Sequence, residues 1–212
     1  MESRTPTREE MLAALERRQG TDAVKKLQAA TVAVCGLGGL GSNIAISLAR
    51  AGIGKLLLVD FDCVDVTNLH RQQYKACQVG LPKPEALLAN LKEIAPYTEF
   101  EMHFEKVTAE NAATLLADAD VICEAFDGAE AKAMLVNVVL ETMPAKYLVA
   151  ASGMAGFDSG NAIATRKVGK RFYLCGDGRS DVNDGIGLVA PRVMLCAAHQ
   201  ALTAIRLILG LE

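Results

Sequence analysis

The stretch Thr31-Val-Ala-Val-Cys-Gly-Leu-Gly-Gly-Leu-Gly-Ser42 constrains this chain more than any other. A short apolar run of strand character ends in Gly36-Leu-Gly38-Gly39-Leu-Gly41, and a helix-like run over residues 43–51 begins at once. Strand, glycine turn and helix in that order form the first half of a βαβ unit whose turn can cradle phosphate. Gly36 permits the tight turn, Gly38 and Gly39 a close approach of backbone to phosphate, and Gly41 close packing of helix on strand. N–H groups at the helix start, with the positive end of the dipole, favour an anion there. A second apolar run, Lys55-Leu-Leu-Leu-Val-Asp60, ends in an acid where a ribose hydroxyl would be read. The whole series predicts a mononucleotide or dinucleotide site.

The remaining pattern predicts an α/β fold: a Rossmann-like, mostly parallel sheet flanked by helices, with an antiparallel C-terminal extension. At 212 residues the chain suits one such domain over residues 1–212, with a core of full size. Residues 1–30 are expected as an N-terminal helical segment, in which residues 9–28 read as helical with a break at Gly20-Thr21, where Thr21 or Asp22 would cap the next helix. Helices are expected over 85–94, 109–118, 129–141 and 190–209, and strands over 99–105, 120–124 and 147–152. Residues 161–166 and 171–175 read as two strands joined by a short turn, which gives the antiparallel extension. Residues 176–187, rich in Gly and Asp, read as a mobile loop.

Composition narrows the class of function. With 51% apolar and 22% charged residues the chain reads as soluble, and its net charge of −3 offers no footprint for bulk nucleic-acid binding. The charged, polar N-terminus predicts no signal peptide. The apolar run over 188–211 is interrupted by Arg192, His199, Gln200 and Arg206, and so reads as a buried core helix rather than a membrane span. Six scattered cysteines without a C-x-x-C pair point to a reducing cytoplasm and no structural zinc.

The chemistry is expected beyond the second strand. Asn68, Arg71 and Gln72 stand together in an irregular segment, and Lys83 opens the next helix. Extra cationic charge beside a glycine turn suits a triphosphate, whose charge grows on the leaving group during nucleotidyl transfer. Asp127, read as ending the fourth strand at the same edge, could hold Mg²⁺ together with phosphate oxygens.

These motifs together resemble the ThiF/MoeB superfamily, the bacterial relatives of ubiquitin-activating enzymes. The likeness rests on residues 36–42, Asp60-Phe-Asp62, Asn68-Leu-His-Arg71-Gln72, Gly80-Leu-Pro-Lys83 and Asp127, and spans residues 27–209. The resemblance implies ATP-dependent adenylylation of the C-terminal glycine carboxylate of a ubiquitin-like protein ending in Gly-Gly, within a homodimer. It implies that Asp60 binds ribose beside Asp62, that Asn68, Arg71 and Lys83 hold and neutralise the phosphates with support from Gln72, and that Asp127 binds Mg²⁺. It also implies a loop crossing over the carrier tail, matched here by residues 176–187. Arg71, Lys83 and Asp127 are then the residues expected to carry the chemistry.

The chain departs from that pattern in three places. The paired cysteines of many relatives are absent, an N-terminal arginine offered across the dimer is matched only by Arg17 or Arg18, and Lys132 stands where relatives have Arg. The compact form is most similar to ThiF-like proteins of thiamine biosynthesis, which makes a ThiS-like sulfur carrier the expected substrate. Cys175, just before the loop, reads as a buried cysteine closing a strand rather than a covalent acceptor. His70 is not required as a base, since a carboxylate is already nucleophilic at neutral pH. Three other readings stay open: a tRNA threonylcarbamoyladenosine dehydratase-like enzyme, an NAD-dependent oxidoreductase, and a scaffold that only binds its partner.

Overall fold

A computed structural model describes residues 4–212; residues 1–3 of the expected N-terminal helical segment lie outside the described residues. The chain runs α1 (Arg8–Gln19), α2 (Thr21–Ala29), β1 (Thr31–Cys35), α3 (Gly39–Ala51), β2 (Lys55–Asp60), α4 (Lys83–Ile94), β3 (Glu99–Phe104), α5 (Ala112–Leu115) and β4 (Val121–Glu124). It continues through α6 (Ala129–Thr142), β5 (Tyr147–Ala151), β6 (Ala164–Lys167), β7 (Phe172–Gly176) and α7 (Ala190–Leu209). The strands form one seven-stranded sheet in the order β3-β2-β1-β4-β5-β7-β6. All neighbours are parallel except the β6–β7 pair, so β7 lies parallel to β5 and only the edge strand β6 is antiparallel.

Core position follows from sequence. β1, β2 and β4 are buried on both faces, which is why they read as continuous apolar runs rather than alternating ones. Alternate residues feed two cores. Val32, Val34, Leu56 and Leu58 pack with α3, α4 and α7, whereas Ala33, Cys35, Leu57 and Val59 pack toward α5 and α6. α7 is long and apolar enough to cross a membrane by length and composition, yet it lies against α3 and the sheet with Val193, Cys196, Ala197, Ala201 and Ala204 buried.

Local chemistry moved several boundaries. The residue before α2 is Gly20, at φ +88°, and no side chain caps that helix, so neither Thr21 nor Asp22 takes the expected role. The helix expected over 109–118 shrinks to Ala112–Leu115. A reciprocal turn occupies its start, with Thr108 N–H donating to Asn111 Oδ1 at 2.8 Å. β4 ends at Glu124, as expected, and begins one residue later, at Val121, with Asp127 three residues beyond it.

Candidate functional site

The strand order reverses between β1 and β4, and a cleft of about 730 Å³ opens there at the carboxyl edge of the sheet. Its base is the glycine turn. Gly36 has φ +90°, and a Cβ there would lie 2.8 Å from Ala125 O. A Cβ on Gly41 would lie 1.7 Å from Gly36 O, so only glycine lets the first turn of α3 close on the strand end. No side chain caps the N-terminus of α3, which leaves that end of the dipole facing the cleft.

Asp60 ties the second strand to this turn. It is buried, with Oδ2 accepting the Leu37 N–H at 2.6 Å and Oδ1 the Asp62 N–H at 2.8 Å. Burial pushes its carboxyl up, against the pull of nearby Lys83. Lys83, the first residue of α4, is itself buried; its Nζ lies 2.8 Å from Asp62 and 4.0 Å from Asp60. The cationic surplus expected from Arg71 and Lys83 is therefore smaller than the composition of the segment suggests, since two acids already claim the lysine.

The segment after β2 is laid on α3 by polar contacts that involve its neighbours. Asn43 donates to Gly39 O at 2.7 Å and to Arg71 O at 3.2 Å, and accepts from Gln73 Nε2 at 2.7 Å. Tyr74 donates its hydroxyl to Leu37 O at 2.7 Å. Arg71, half-buried, lines the cleft and bonds only weakly to Thr67 O at 3.3 Å. Burial pulls its guanidinium down, opposed by the charge of Asp127. Among the described residues, Arg71 is the one cleft-lining cation with no carboxylate within 4.0 Å. Asn68 lines the same wall, and Gln72 is buried with an Oε1 that finds no hydrogen-bond partner. His70 is exposed, its Nδ1 2.9 Å from Thr67 O.

Sequence reading missed the acid that closes β4. Glu124 is almost wholly buried, accepts the Phe126 N–H at 2.7 Å, and pairs with Lys132 Nζ at 3.0 and 3.1 Å. Burial raises its carboxyl, with Lys132 opposing. Lys132 is thus spoken for, and the exposed Asp127 sits three residues beyond the strand on a turn held by Glu124. An acid at the end of an all-buried strand was the available signal. The remaining wall comes from residues 152–155, residues 180–182, α6 and α7.

Cys175 is buried, its Sγ 3.5 Å from Thr165 Oγ1, and burial raises the thiol. That fits a small packing residue rather than an acceptor in reach of the cleft. Arg17 and Arg18 are exposed on α1 and line no part of the cleft. Among the described residues no group of three or more His, Cys, Asp or Glu side chains is gathered to hold a metal. A single carboxylate such as Asp127 still suits Mg²⁺, which commonly takes one or two protein ligands beside phosphate oxygens.

A glycine turn at the strand-order switch of a mostly parallel sheet defines a Rossmann-like α/β protein. The chain belongs to the ThiF family, which it matches over residues 11–212. It is 33% identical over 201 residues to the adenylyltransferase and sulfurtransferase MOCS3 of Anopheles gambiae, covering 91% of this chain and 44% of that protein. A shorter match, 43% over 97 residues, links it to ubiquitin-like modifier-activating enzyme 5 of Xenopus laevis, covering 46% of this chain and 24% of that one. The chain thus spans less than half the length of these relatives. Among solved structures, E. coli tRNA N6-threonylcarbamoyladenosine dehydratase with AMP superposes with a TM-score of 0.87 over 98% of both chains at 22% identity. At that identity the likeness is one of fold.

Proposed function

We propose that the chain is an adenylyltransferase that uses ATP and Mg²⁺ to activate the C-terminal glycine carboxylate of a ubiquitin-like sulfur carrier, releasing pyrophosphate. The observation that carries this reading is one cleft lined by the glycine turn, by Arg71, and by Asp127 close enough to act on Arg71 electrostatically. The adenylyltransferase names of its relatives support it. The carboxylate needs no base, so the chain has to place two anions together and stabilise developing charge. The α3 N-terminus and Arg71 are the groups freest to meet phosphate charge. Lys83, with one donor on Asp62, has others that can meet phosphate, though its charge is shared with the two acids. Mg²⁺, when bound at Asp127, supplies the remaining neutralisation. The reading extends to a cytoplasmic homodimer acting on a ThiS-like carrier in thiamine thiazole synthesis, on the strength of the motif resemblance.

A second reading is favoured by one observation. The tRNA dehydratase fold covers nearly the whole chain, and an exposed basic hairpin (Arg166, Lys167 and Lys170) offers phosphate contacts. One experiment separates the two. The protein is incubated with ATP, Mg²⁺ and either a Gly-Gly carrier or threonylcarbamoyladenosine-containing tRNA, followed by pyrophosphate exchange and intact mass. Carrier adenylate is the expected product. ATP-dependent loss of water from the tRNA, with no carrier adenylate, would replace the first reading by the second.

A further inference from the structure

Behind the wall that residues 152–155 and 180–182 give the cleft, a knot of buried polar groups joins three separate segments. Arg192, in the first turn of α7, is 3% exposed. Its Nε donates to Ala155 O at 3.1 Å, Nη1 to Ser159 O at 2.8 Å and also to Asp158 O, and Nη2 to Asp177 Oδ2 at 2.5 Å. The Asp177 side chain is equally buried and accepts the N–H groups of Arg179 and Ser180 at 2.9 Å and the Ser180 hydroxyl at 2.8 Å. Ser180 Oγ in turn accepts the Ala155 N–H at 3.1 Å. A Cβ on Gly153, at φ +80°, would lie 2.0 Å from Asp177 Oδ1, so the approach of these two loops requires glycine. Burial alone would raise the Asp177 carboxyl, but the hydrogen bonds of Ser180, Arg179 and Arg192 outweigh it and hold it well below the usual carboxylate range.

A buried Arg–Asp pair is a poor stabiliser compared with apolar side chains of the same size, so its presence calls for a specific geometric use. The knot sits at the root of the loop over residues 176–187. Ser180, Asp181 and Val182 reach the cleft from that root. Farther on the loop is tied back to the same neighbour, with Gly187 O accepting the Gly156 N–H at 2.9 Å and Ile186 lying beside Gly156. None of the bonds just named involves residues 36–83, which form the opposite wall.

We propose that Arg192 is a positioning residue. By clamping Asp177 it holds the loop root, residues 177–180, against residues 155–159, so that Ser180 and Val182 keep their place in the wall facing the nucleotide side of the cleft. This inference rests on the adenylylation reading above. It requires that loosening the knot impair handling of the carrier while ATP binding stays intact.

The test compares the full chain with Arg192→Met, with the charge-neutral pair Asp177→Asn/Arg192→Met, and with the milder Ser180→Ala. Amide hydrogen exchange is first read on the protein without substrates. The Arg179 and Ser180 amides should lose protection by about tenfold or more while β1, β2 and β4 keep theirs. Pyrophosphate exchange is then measured with carrier and ATP varied separately. KM for the carrier should rise by about tenfold and KM for ATP by less than about twofold, with Ser180→Ala changing in the same direction to a smaller extent. Unchanged amide protection in all three variants, or a parallel rise of both KM values, overturns the proposal. Wild-type protein inactive on any carrier would remove the adenylylation reading instead, and the amide data would still decide whether the root is held by Arg192.

Discussion

The nucleotide wall of the cleft comes from one continuous βαβ unit, residues 31–83, whereas the opposite wall is gathered from the end of β4, α6, the loops after β5 and β7, and the start of α7. In the first, backbone does most of the positioning: Gly36 and Gly41 fit only because they lack Cβ, and Asp60 binds N–H groups of the adjoining turns. In the second, glycine contacts at Gly153 and Gly176 are joined by charged side chains, Glu124–Lys132 and Asp177–Arg192, which the first wall's turn does without. A wall of backbone is rigid because sterics forbid alternatives. A wall of buried ion pairs depends on each partner staying charged and in place.

If that contrast holds, the largest loss should follow Gly41→Ala. Its Cβ would meet a carbonyl oxygen at 1.7 Å, and a destabilisation above about 4 kcal/mol or no folded protein is expected from melting curves. Gly187→Ala, in open space at φ +66°, should cost only about 1–2 kcal/mol. Equal costs at the two sites would erase the distinction between the walls.

Lys132→Met comes next and probes the side-chain wall. It strands Glu124, and breaking a buried pair costs about 3–5 kcal/mol. Removing the cation raises the Glu124 carboxyl further. A carboxyl raised in the folded state contributes stability below the ordinary glutamate value of 4.5 and loses it as pH rises through the raised value. The deficit of Lys132→Met should therefore be small in acid and grow toward neutral pH. A deficit independent of pH would mean that lost packing, not charge, is responsible.

Arg71→Ala should scarcely change the melting curve, within about 0.5 kcal/mol, because the side chain bonds only weakly to the fold. Pyrophosphate exchange should fall by about 10²–10³, or roughly 2.7–4 kcal/mol in the transition state. Asp127→Ala should lose part of its rate at low Mg²⁺ and regain it as Mg²⁺ rises. Near-normal exchange in both folded variants would leave the cleft with a nucleotide scaffold and no assigned chemistry.

The wall built from backbone was the one legible in the sequence. Gly36, Gly38, Gly39, Gly41, Asp60, Asp62, Asn68, Arg71, Gln72 and Lys83 all line or border one cleft, because a local βαβ unit encodes its own geometry. The pairing of Lys83 with Asp62 was hidden, since residues 21 apart in sequence carry no spacing rule outside a helix. Glu124 closes the strand where expected but gives no sign in sequence of its pairing with Lys132, because the burial of an acid depends on what packs over it. Asp177 and Arg192 were illegible for the same reason: a Gly/Asp-rich stretch reads as solvated loop until a guanidinium from a distant helix arrives. The β6–β7 hairpin was readable, but not that β7 rather than β6 would pair with β5.

The smallest effect is expected at Cys175. Its buried thiol touches Thr165 on the edge strand and Thr203 on α7, so Cys175→Ser exchanges one weak hydrogen-bonding group for a stronger one. Stability should change by about 1 kcal/mol, with carrier-dependent exchange and sulfur transfer both retained. Retained exchange with lost transfer would place a covalent step on the wall that otherwise only positions.

The helix α1 has a consequence of a different kind. It has a reciprocal capping box between Thr7 and Glu10 but not one buried residue, and it touches the fold through Leu15 beside Gly52 and through the segment before it, where Tyr97 donates to Pro6 O at 2.8 Å. A helix of 12 residues is marginal in water without an apolar face to dock. Its local unfolding is therefore expected to cost less than unfolding the sheet, and to leave both walls of the cleft intact. Proteases should nick this end first, and the arginines at its C-terminal turn are the cations whose position the rest of the fold dictates least.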